Sequence, residues 1–222
     1  KTTVIRALMG LLPVGGEVTE GTMIFNGQDL RALSKSQWRA IRGKDMAMIF
    51  QDSGSALDPI VRIGKQFREL FTSHIEITND ECDRRAIELL ESVSLPNGAD
   101  ILRRYPHELS GGQRQRVGIA MALALDPALL IGDEPTSALD VTTQSQVVMQ
   151  MLELAKEHNS AIVMVTHNLG VAAYMSDYII VMKKGRVVDA GTPQDILENP
   201  SNEYTKQLKD AVPTLGGGRY ID

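Results

Sequence analysis

Three short apolar segments, each followed at once by polar residues, constrain the fold of this chain more than any other feature. They are MAMIF (Met46–Phe50), ALLIG (Ala128–Gly132) and AIVMV (Ala161–Val165), and none shows the alternation of a half-exposed strand. Such segments are typical of strands buried on both faces of a parallel sheet. Helical patterns separate most of them, so the chain is predicted to be an α/β protein.

The regions around these strands carry clear local signals. Asn26 with Gly27 predicts a hairpin turn at the end of one short strand, and Lys183, Lys184 and Gly185 predict another between two short apolar runs. Val4 to Leu12 is apolar almost all round, which predicts a buried helix. Between Asp52 and Ala124 the strand patterns stop, and Glu81–Leu95 has helical periodicity. This block is predicted to be a mostly helical insertion in the α/β core.

Composition excludes several classes of protein. A chain of 222 residues can bury a substantial core, and its net charge of -5 gives no electrostatic reason to expect binding of nucleic acid, which usually calls for a basic face. Its single cysteine, Cys82, rules out an internal disulfide and fits a reducing compartment. No apolar run approaches the ~20 residues that span a bilayer, so any contact with a membrane is predicted to come from a partner.

Polar side chains follow each of the three predicted strands. Gln51 comes after the first, Asp133 and Glu134 after the second, and Thr166 and His167 after the third. Ligands of open α/β sheets bind outside the carboxyl ends of the strands, so these side chains predict a shared site. Asp133 is assigned to a Mg²⁺ ion, usually through water, and Glu134 to an attacking water.

The residue after this acidic pair adds an expectation about the backbone. Pro135 restricts the conformation of the preceding residue, so it is predicted to hold Glu134 extended and thereby to fix the aim of its carboxylate.

The segment LSGGQRQR, from Leu109 to Arg116, predicts a helix that begins at an anion. Ser110 with Gln113 has the spacing of a capping box. Two glycines in a first turn, Gly111 and Gly112, cost about 1 kcal/mol each relative to alanine. A helix start that accepts this cost usually brings its backbone N–H groups close to a ligand, for which an anion is favoured.

The first two residues match the end of another phosphate-binding pattern. Lys1 and Thr2, directly before a helix, correspond to the last two positions of the loop G-x-x-x-x-G-K-[ST]. By itself this two-residue match is not specific. It becomes specific when it is taken together with the other polar segments in their order along the chain.

Taken in that order, these segments resemble the ATP-binding subunit of ABC transporters over essentially the whole chain. Lys1 and Thr2 resemble the end of the Walker A loop, Gln51 the Q-loop glutamine, and Leu109–Gln113 the signature motif letter for letter. Leu129–Asp133 resembles the Walker B strand, and Glu134 the catalytic glutamate that follows it. The D-loop and the switch histidine are matched by Ser137–Asp140 and His167.

The resemblance implies a P-loop NTPase (RecA-like) core with an inserted helical subdomain, and it implies a role for each site residue. The implied parts are residues 1–52 and 126–191 for the core, 53–125 for the helical subdomain and 192–222 for a helical tail. The implied catalytic residues are Glu134, His167 and Gln51; the implied ATP contacts are Lys1, Thr2, Thr3, Ser110, Gly111, Gly112, Gln113 and Asp140; the implied metal ligands are Thr2, Gln51 and Asp133. ATP and Mg²⁺ are the implied cofactors.

Longer stretches such as IFQDSGSALDP and GDEPTSALDVTTQSQV narrow the resemblance to importers of oligopeptides, dipeptides or nickel. Gly132 departs from the alanine usual before the Walker B aspartate. In that family the phosphate-loop glycines and their strand precede the lysine. We therefore expect this chain to be part of a longer protein, and to bind ATP weakly and hydrolyse it negligibly by itself.

The resemblance also implies partners and a location. These are a second ATPase subunit, identical or related, transmembrane permease subunits, and indirectly an extracytoplasmic solute-binding protein, at the cytoplasmic face of the membrane. Two other classes stay open: a DNA-repair type of ABC ATPase, which normally carries long coiled coils absent here, and a non-catalytic nucleotide-binding module. An exporter is also possible in principle, although exporters commonly fuse the ATPase to membrane spans.

Overall fold

The computed structural model describes residues 1–51, 56–135 and 141–211, so the predicted role of Asp140 falls outside the described residues. The helices are α1 (Thr2–Leu8), α2 (Lys35–Ile41), α3 (Ile63–Thr72), α4 (Asn79–Ser92), α5 (Gly98–Arg103), α6 (Gly111–Leu123), α7 (Val141–Glu157), α8 (Leu169–Met175), α9 (Pro193–Glu198) and α10 (Glu203–Asp210). The strands are β1 (Ile24–Phe25), β2 (Gln28–Asp29), β3 (Met46–Ile49), β4 (Leu129–Asp133), β5 (Ala161–Val165), β6 (Ile179–Lys183) and β7 (Arg186–Gly191).

The three strands that the apolar segments predicted form one parallel sheet in the order β3-β4-β5. Ile49 lies opposite Gly132, and Gly132 lies opposite Met164, so the carboxyl ends of the strands meet at one edge. Leu130 and Ile131 of the central strand are fully buried. The predicted α/β class is confirmed.

Two hairpins are present where the turn residues predicted them. Asn26 and Gly27 join β1 to β2 with φ angles of 47° and 78°, and Lys184 and Gly185 join β6 to β7 with 47° and 79°. Two successive positive φ angles are the geometry of a type I′ turn, which matches the twist of antiparallel strands.

Helix α1 differs from the prediction of a buried helix from Val4 to Leu12. It stops earlier because Gly10 adopts a left-handed φ of 60°. The N–H of Leu11 donates to the carbonyl of Arg6 at 2.7 Å, the long-range bond of a Schellman motif. Val4 is 44% exposed, so the expectation of burial all round is wrong.

Every regular element described between residues 56 and 128 is helical, as the sequence pattern indicated. Helix α4 begins after Thr78, whose hydroxyl accepts a hydrogen bond from the N–H of Glu81 at 3.3 Å. Phe67 and Phe71 of α3 are fully buried in the same apolar cluster as α6 and β4. This cluster packs α6 against the sheet.

The chain divides into two compact units. One is Thr2–Val165; the other consists of Lys1 with Thr166 and the residues after it. In the second unit Leu169, Ile179, Val181 and Ile196 form an apolar cluster. The boundaries predicted from the resemblance at residues 52, 125 and 191 stay predictions. No helix among the described residues is long and apolar enough to cross a membrane.

Candidate functional site

The carboxyl end of β4 and the beginning of α1 meet through a hydrogen bond. The hydroxyl of Thr2 donates to Oδ1 of Asp133 at 3.2 Å, and Asp133 is only 7% exposed. Ile5 of α1 packs in one apolar cluster with Ile131 of β4, which holds the two elements together. The structure therefore joins two residues that the sequence predicted as metal ligands.

A second contact joins the ends of β3 and β4. Nε2 of Gln51 lies 3.4 Å from Oε2 of Glu134, within the outer range of a hydrogen bond. Gln51 is exposed, whereas Glu134 is half-buried. An amide at this position can donate to one carboxylate oxygen and so orient the side chain.

The backbone at Glu134 contradicts the expectation of an extended conformation. Its φ is 48°, in the left-handed region, while its N–H donates to the carbonyl of Val165 at 2.8 Å. The chain thus continues the hydrogen bonding of the parallel sheet and then turns within one residue. Pro135 excludes some conformations of the residue before it, but the contacts with β5 decide which one is adopted.

The donor set at this edge suits a small, hard cation. Thr2 and Gln51 offer neutral oxygens, and Asp133 offers a buried carboxylate that Thr2 already orients. Mg²⁺ prefers oxygen ligands of this kind and commonly uses only one or two carboxylates. Among the described residues no group of three or more His, Cys, Asp or Glu side chains could hold a metal. A cation here therefore depends on hydroxyl and amide oxygens as well.

Helix α6 begins with the capping box that the sequence predicted. The hydroxyl of Ser110 accepts from the N–H of Gln113 at 3.2 Å, and Oε1 of Gln113 accepts from the N–H of Ser110 at 2.9 Å. The N–H groups of Gly111 and Gly112 cannot be paired within the helix. Apart from its chain neighbours and the backbone of its own helix, no atom in the described part of the chain lies within 4 Å of a Cβ built at Gly112. The first turn is open to a ligand.

Three further predicted residues are exposed. Thr3 is the second residue of α1. Nζ of Lys1 donates to the carbonyl of Thr166 at 2.9 Å, within the smaller unit. His167 belongs to the same unit as Lys1. Their predicted roles in binding nucleotide stay predictions.

One polar residue beside the site was missed by the sequence reasoning. Gln115 of α6 is 3% exposed, and its Nε2 donates to the carbonyl of Pro135, the residue after Glu134. The available signal was an amide two positions before the apolar run that starts at Val117. That signal is weak, because the sequence does not say which face of α6 meets β4.

Comparison with known proteins identifies the family of this chain. The family model described as ABC transporter matches residues 1–137, and the chain belongs to that family. A solved dimeric ATP-binding cassette in a post-hydrolysis state, bound to ADP and Pi, matches with a TM-score of 0.75 and 27% identity. The match covers 86% of this chain and 80% of the solved one, so the P-loop NTPase fold is confirmed.

The curated relatives that match this chain belong to a narrower group within the family. The chain is 44% identical over 216 residues to the dipeptide transport ATP-binding protein DppD of Lactococcus lactis, covering 97% of this chain and 62% of the relative. It is 43% identical over 216 residues to the oligopeptide transport ATP-binding protein OppD of Bacillus subtilis, covering 97% of this chain and 60% of the relative. The chain thus spans about three fifths of the length of these curated relatives, and the predicted resemblance to them is confirmed.

Proposed function

We propose that this chain carries the nucleotide-binding core of an ATP-hydrolysing subunit that powers import of oligopeptides or dipeptides through a separate permease. The observation that carries the proposal is the pair of contacts at one sheet edge, Thr2 with Asp133 and Gln51 with Glu134. Peptide is favoured over nickel because the relatives described above are named as dipeptide and oligopeptide transport proteins.

ATP would bind with Mg²⁺ at this edge, where Thr2, Gln51 and Asp133 would hold the ion. When bound, the ion supplies positive charge that offsets the charge on the β- and γ-phosphates. The buried carboxylate of Asp133 suits this task because the hydroxyl of Thr2 fixes one of its oxygens and burial limits competition from water.

Glu134 would act on the attacking water. Its carboxylate is held by the amide of Gln51, and its backbone is held by the bond to Val165, so the side chain has a defined direction. A general base must lie within hydrogen-bond reach of the proton that it accepts, and positioning is the main demand of phosphoryl transfer. Gln51 would sense the same nucleotide because it contacts Glu134.

The first turn of α6 would bind the γ-phosphate held by a second subunit. Gly111 and Gly112 offer backbone N–H groups at the positive end of a helix dipole, and Ser110 and Gln113, bonded to each other in the capping box, border the turn with their polar side chains. The signature turn of one subunit would thus cover the phosphate that the Walker A and Walker B residues of the other subunit bind. The roles of Lys1, Thr3, Asp140 and His167 rest on the resemblance of the sequence.

The proposed partners follow from this arrangement and from the family. A second ATPase subunit completes each nucleotide site, and permease subunits hold the pair at the cytoplasmic face of the membrane. A solute-binding protein outside the membrane would deliver the peptide to the permease. Residues 53–125 are proposed as the helical subdomain that faces the permease.

The test uses the whole protein with its partners and compares Glu134→Gln with Glu153→Gln, which changes an exposed glutamate of α7. Turnover of ATP should fall about 100-fold or more in Glu134→Gln, because that is the usual contribution of a general base. ATP binding should persist, and Glu153→Gln should match the wild type. Unchanged turnover in Glu134→Gln would sink the catalytic assignment, and binding without turnover in the wild type would favour a non-catalytic module.

The solute is tested separately in vesicles that hold the complete transporter. ATP-dependent uptake of a labelled dipeptide is expected, and unlabelled oligopeptides should compete with it. Uptake of Ni²⁺ without uptake of peptide would contradict the proposed solute while leaving the ATPase assignment intact.

A further inference from the structure

Gln115 is a buried amide in a helix whose other buried residues are apolar. It is 3% exposed, and the buried residues that follow it in α6 include Val117, Ile119 and Ala120. Burial of an amide is unfavourable unless hydrogen bonds compensate for the lost water. A glutamine retained there therefore has a specific partner.

That partner is the loop that carries Glu134. Nε2 of Gln115 donates to the carbonyl oxygen of Pro135, and both residues are buried. The ring of Pro135 lies 3.1 Å from the position of a Cβ built at Gly132, so the proline packs closely on the end of β4. Together with the bond from Glu134 N–H to Val165, this holds the loop on three sides.

Glu134 needs such support more than an ordinary residue does. Its φ of 48° lies in the left-handed region, which residues other than glycine adopt only when their surroundings impose it. A shift of the Pro135 carbonyl would therefore release the backbone of Glu134 and change the direction of its carboxylate.

We propose that Gln115 is a positioning residue for Glu134 and ties the loop of the catalytic glutamate to the helix that starts with the signature turn. This inference rests on the proposed function. Gln115 lies about one and a half turns after Ser110 on one rigid helix. The position of the signature turn and the position of Glu134 therefore depend on each other. When the signature turn binds a nucleotide held by a second subunit, it would then fix the position of Glu134, which acts on the nucleotide of its own subunit.

A second glutamine provides a matched control. Gln66 of α3 is 8% exposed, and its Nε2 donates to the carbonyls of Asp58 at 3.0 Å and Val61 at 2.8 Å. It is thus another buried amide that bonds to backbone carbonyls, but its partners belong to the helical region and not to the loop of Glu134. Loss of either amide should affect stability, whereas only loss of Gln115 should affect catalysis.

The experiment measures ATP turnover and thermal unfolding in the whole protein with its partners. Gln115→Met and Gln115→Leu are close to glutamine in size and remove the hydrogen bond to Pro135, because neither side chain carries a donor. For both we expect kcat to fall about tenfold or more with KM for ATP changed less than about twofold, because a misdirected base slows chemistry without weakening binding. Gln66→Met should lose stability but keep kcat per folded molecule.

A double-mutant cycle tests whether the effect passes through Glu134. When Glu134→Gln is already present, Gln115→Met should change residual single-turnover hydrolysis less than about twofold, because the group that it positions is gone. Full additivity would overturn the proposal. So would equal kcat losses for Gln66→Met and Gln115→Met, or failure of both Gln115 variants to fold, which would make the residue structural.

The proposed function fails by a different result. It fails if the wild type does not hydrolyse ATP or if Glu134→Gln retains full turnover, whatever the Gln115 variants do. The role of Gln115 fails if Glu134→Gln is inactive as expected but both Gln115 variants fold and turn over ATP at the wild-type rate.

Discussion

Gly112 is the second residue of helix α6, and its replacement by alanine separates two interpretations of the first turn of that helix. If Ser110 and Gln113 serve only as a capping box, the glycine is merely a poor helix residue. If the turn binds an anion, the missing side chain keeps the approach to the backbone N–H groups open. The anion site predicts that Gly112→Ala lowers turnover, whereas the cap alone predicts unchanged turnover; both predict the same effect on stability.

The expected change in stability follows from the local geometry. Apart from its chain neighbours and the backbone of its own helix, a Cβ at Gly112 meets no atom within 4 Å, and φ at this residue is not in the left-handed region. Alanine is favoured over glycine in a helix by about 0.8–1.0 kcal/mol, and no steric term opposes that gain. For a protein of this size, 1 kcal/mol raises Tm by about 2–4 °C.

Gly64 provides the matched control, because it is the second residue of α3. A Cβ there would lie 3.0 Å from the carbonyl oxygen of Leu102 and 3.2 Å from its Cβ. In Gly64→Ala, steric repulsion should therefore outweigh the gain in helix propensity, and Tm should fall. Turnover per folded molecule should stay unchanged, since the predicted anion-binding turn is untouched.

The assay combines thermal unfolding with steady-state ATP hydrolysis by the whole protein and its partners. Gly112→Ala should raise Tm and lower turnover at least about tenfold, because a donor to a charged transition state commonly contributes that much or more. A raised Tm with unchanged turnover would refute the anion site, and the capping box would remain as the only interpretation of this turn. A lowered Tm would show that the space around Gly112 is not open.

The remaining predictions concern acid stability and the C-terminal hairpin. Hydrogen bonds from Arg84 and Arg85 lower the pKa of Glu81 from 4.5 to about 2, so its contribution to stability is complete above about pH 4.5 and lost as pH falls towards 2. Urea unfolding from pH 6 to pH 2 should therefore show a shallower loss for Glu81→Gln than for the wild type; parallel curves would contradict this. At Asp189 burial raises the pKa, but hydrogen bonds from Ser201 and Asn202 outweigh it and the pKa lies below its ordinary value. Asp189→Asn should lower the free energy of unfolding by about 1 kcal/mol at neutral pH, and no change would show that these bonds are not needed.

Much of the local structure could be predicted because it depends on neighbouring residues alone. The turn at Asn26 and Gly27 needs two positive φ angles, which those residue types accept. The start of α4 after Thr78 needs a hydroxyl that can reach the N–H of Glu81. The turn has the predicted form.

Predictions failed at α1, where a glycine ends the helix within an apolar stretch, and at Glu134, where the chain meets a neighbouring strand. The apolar stretch from Val4 continues past Gly10, but the helix ends there, and Val4 remains exposed. Pro135 favours an extended residue before it, yet Glu134, whose N–H donates to the carbonyl of Val165, adopts a left-handed conformation. Hydrophobic pattern and local preference do not contain the sheet register that creates such bonds.

The sequence by itself determined which residues could do the chemistry: the carboxylates after one buried strand, the amide after another, and the glycines at a helix start. Only the tertiary structure decided which of them meet. Thr2 reaches Asp133 across 131 positions, Gln51 reaches Glu134 across 83, and Gln115 reaches Pro135 across 20. Bonds between residues so far apart in sequence depend on the register of the parallel sheet and on the packing of α1 and α6 beside it.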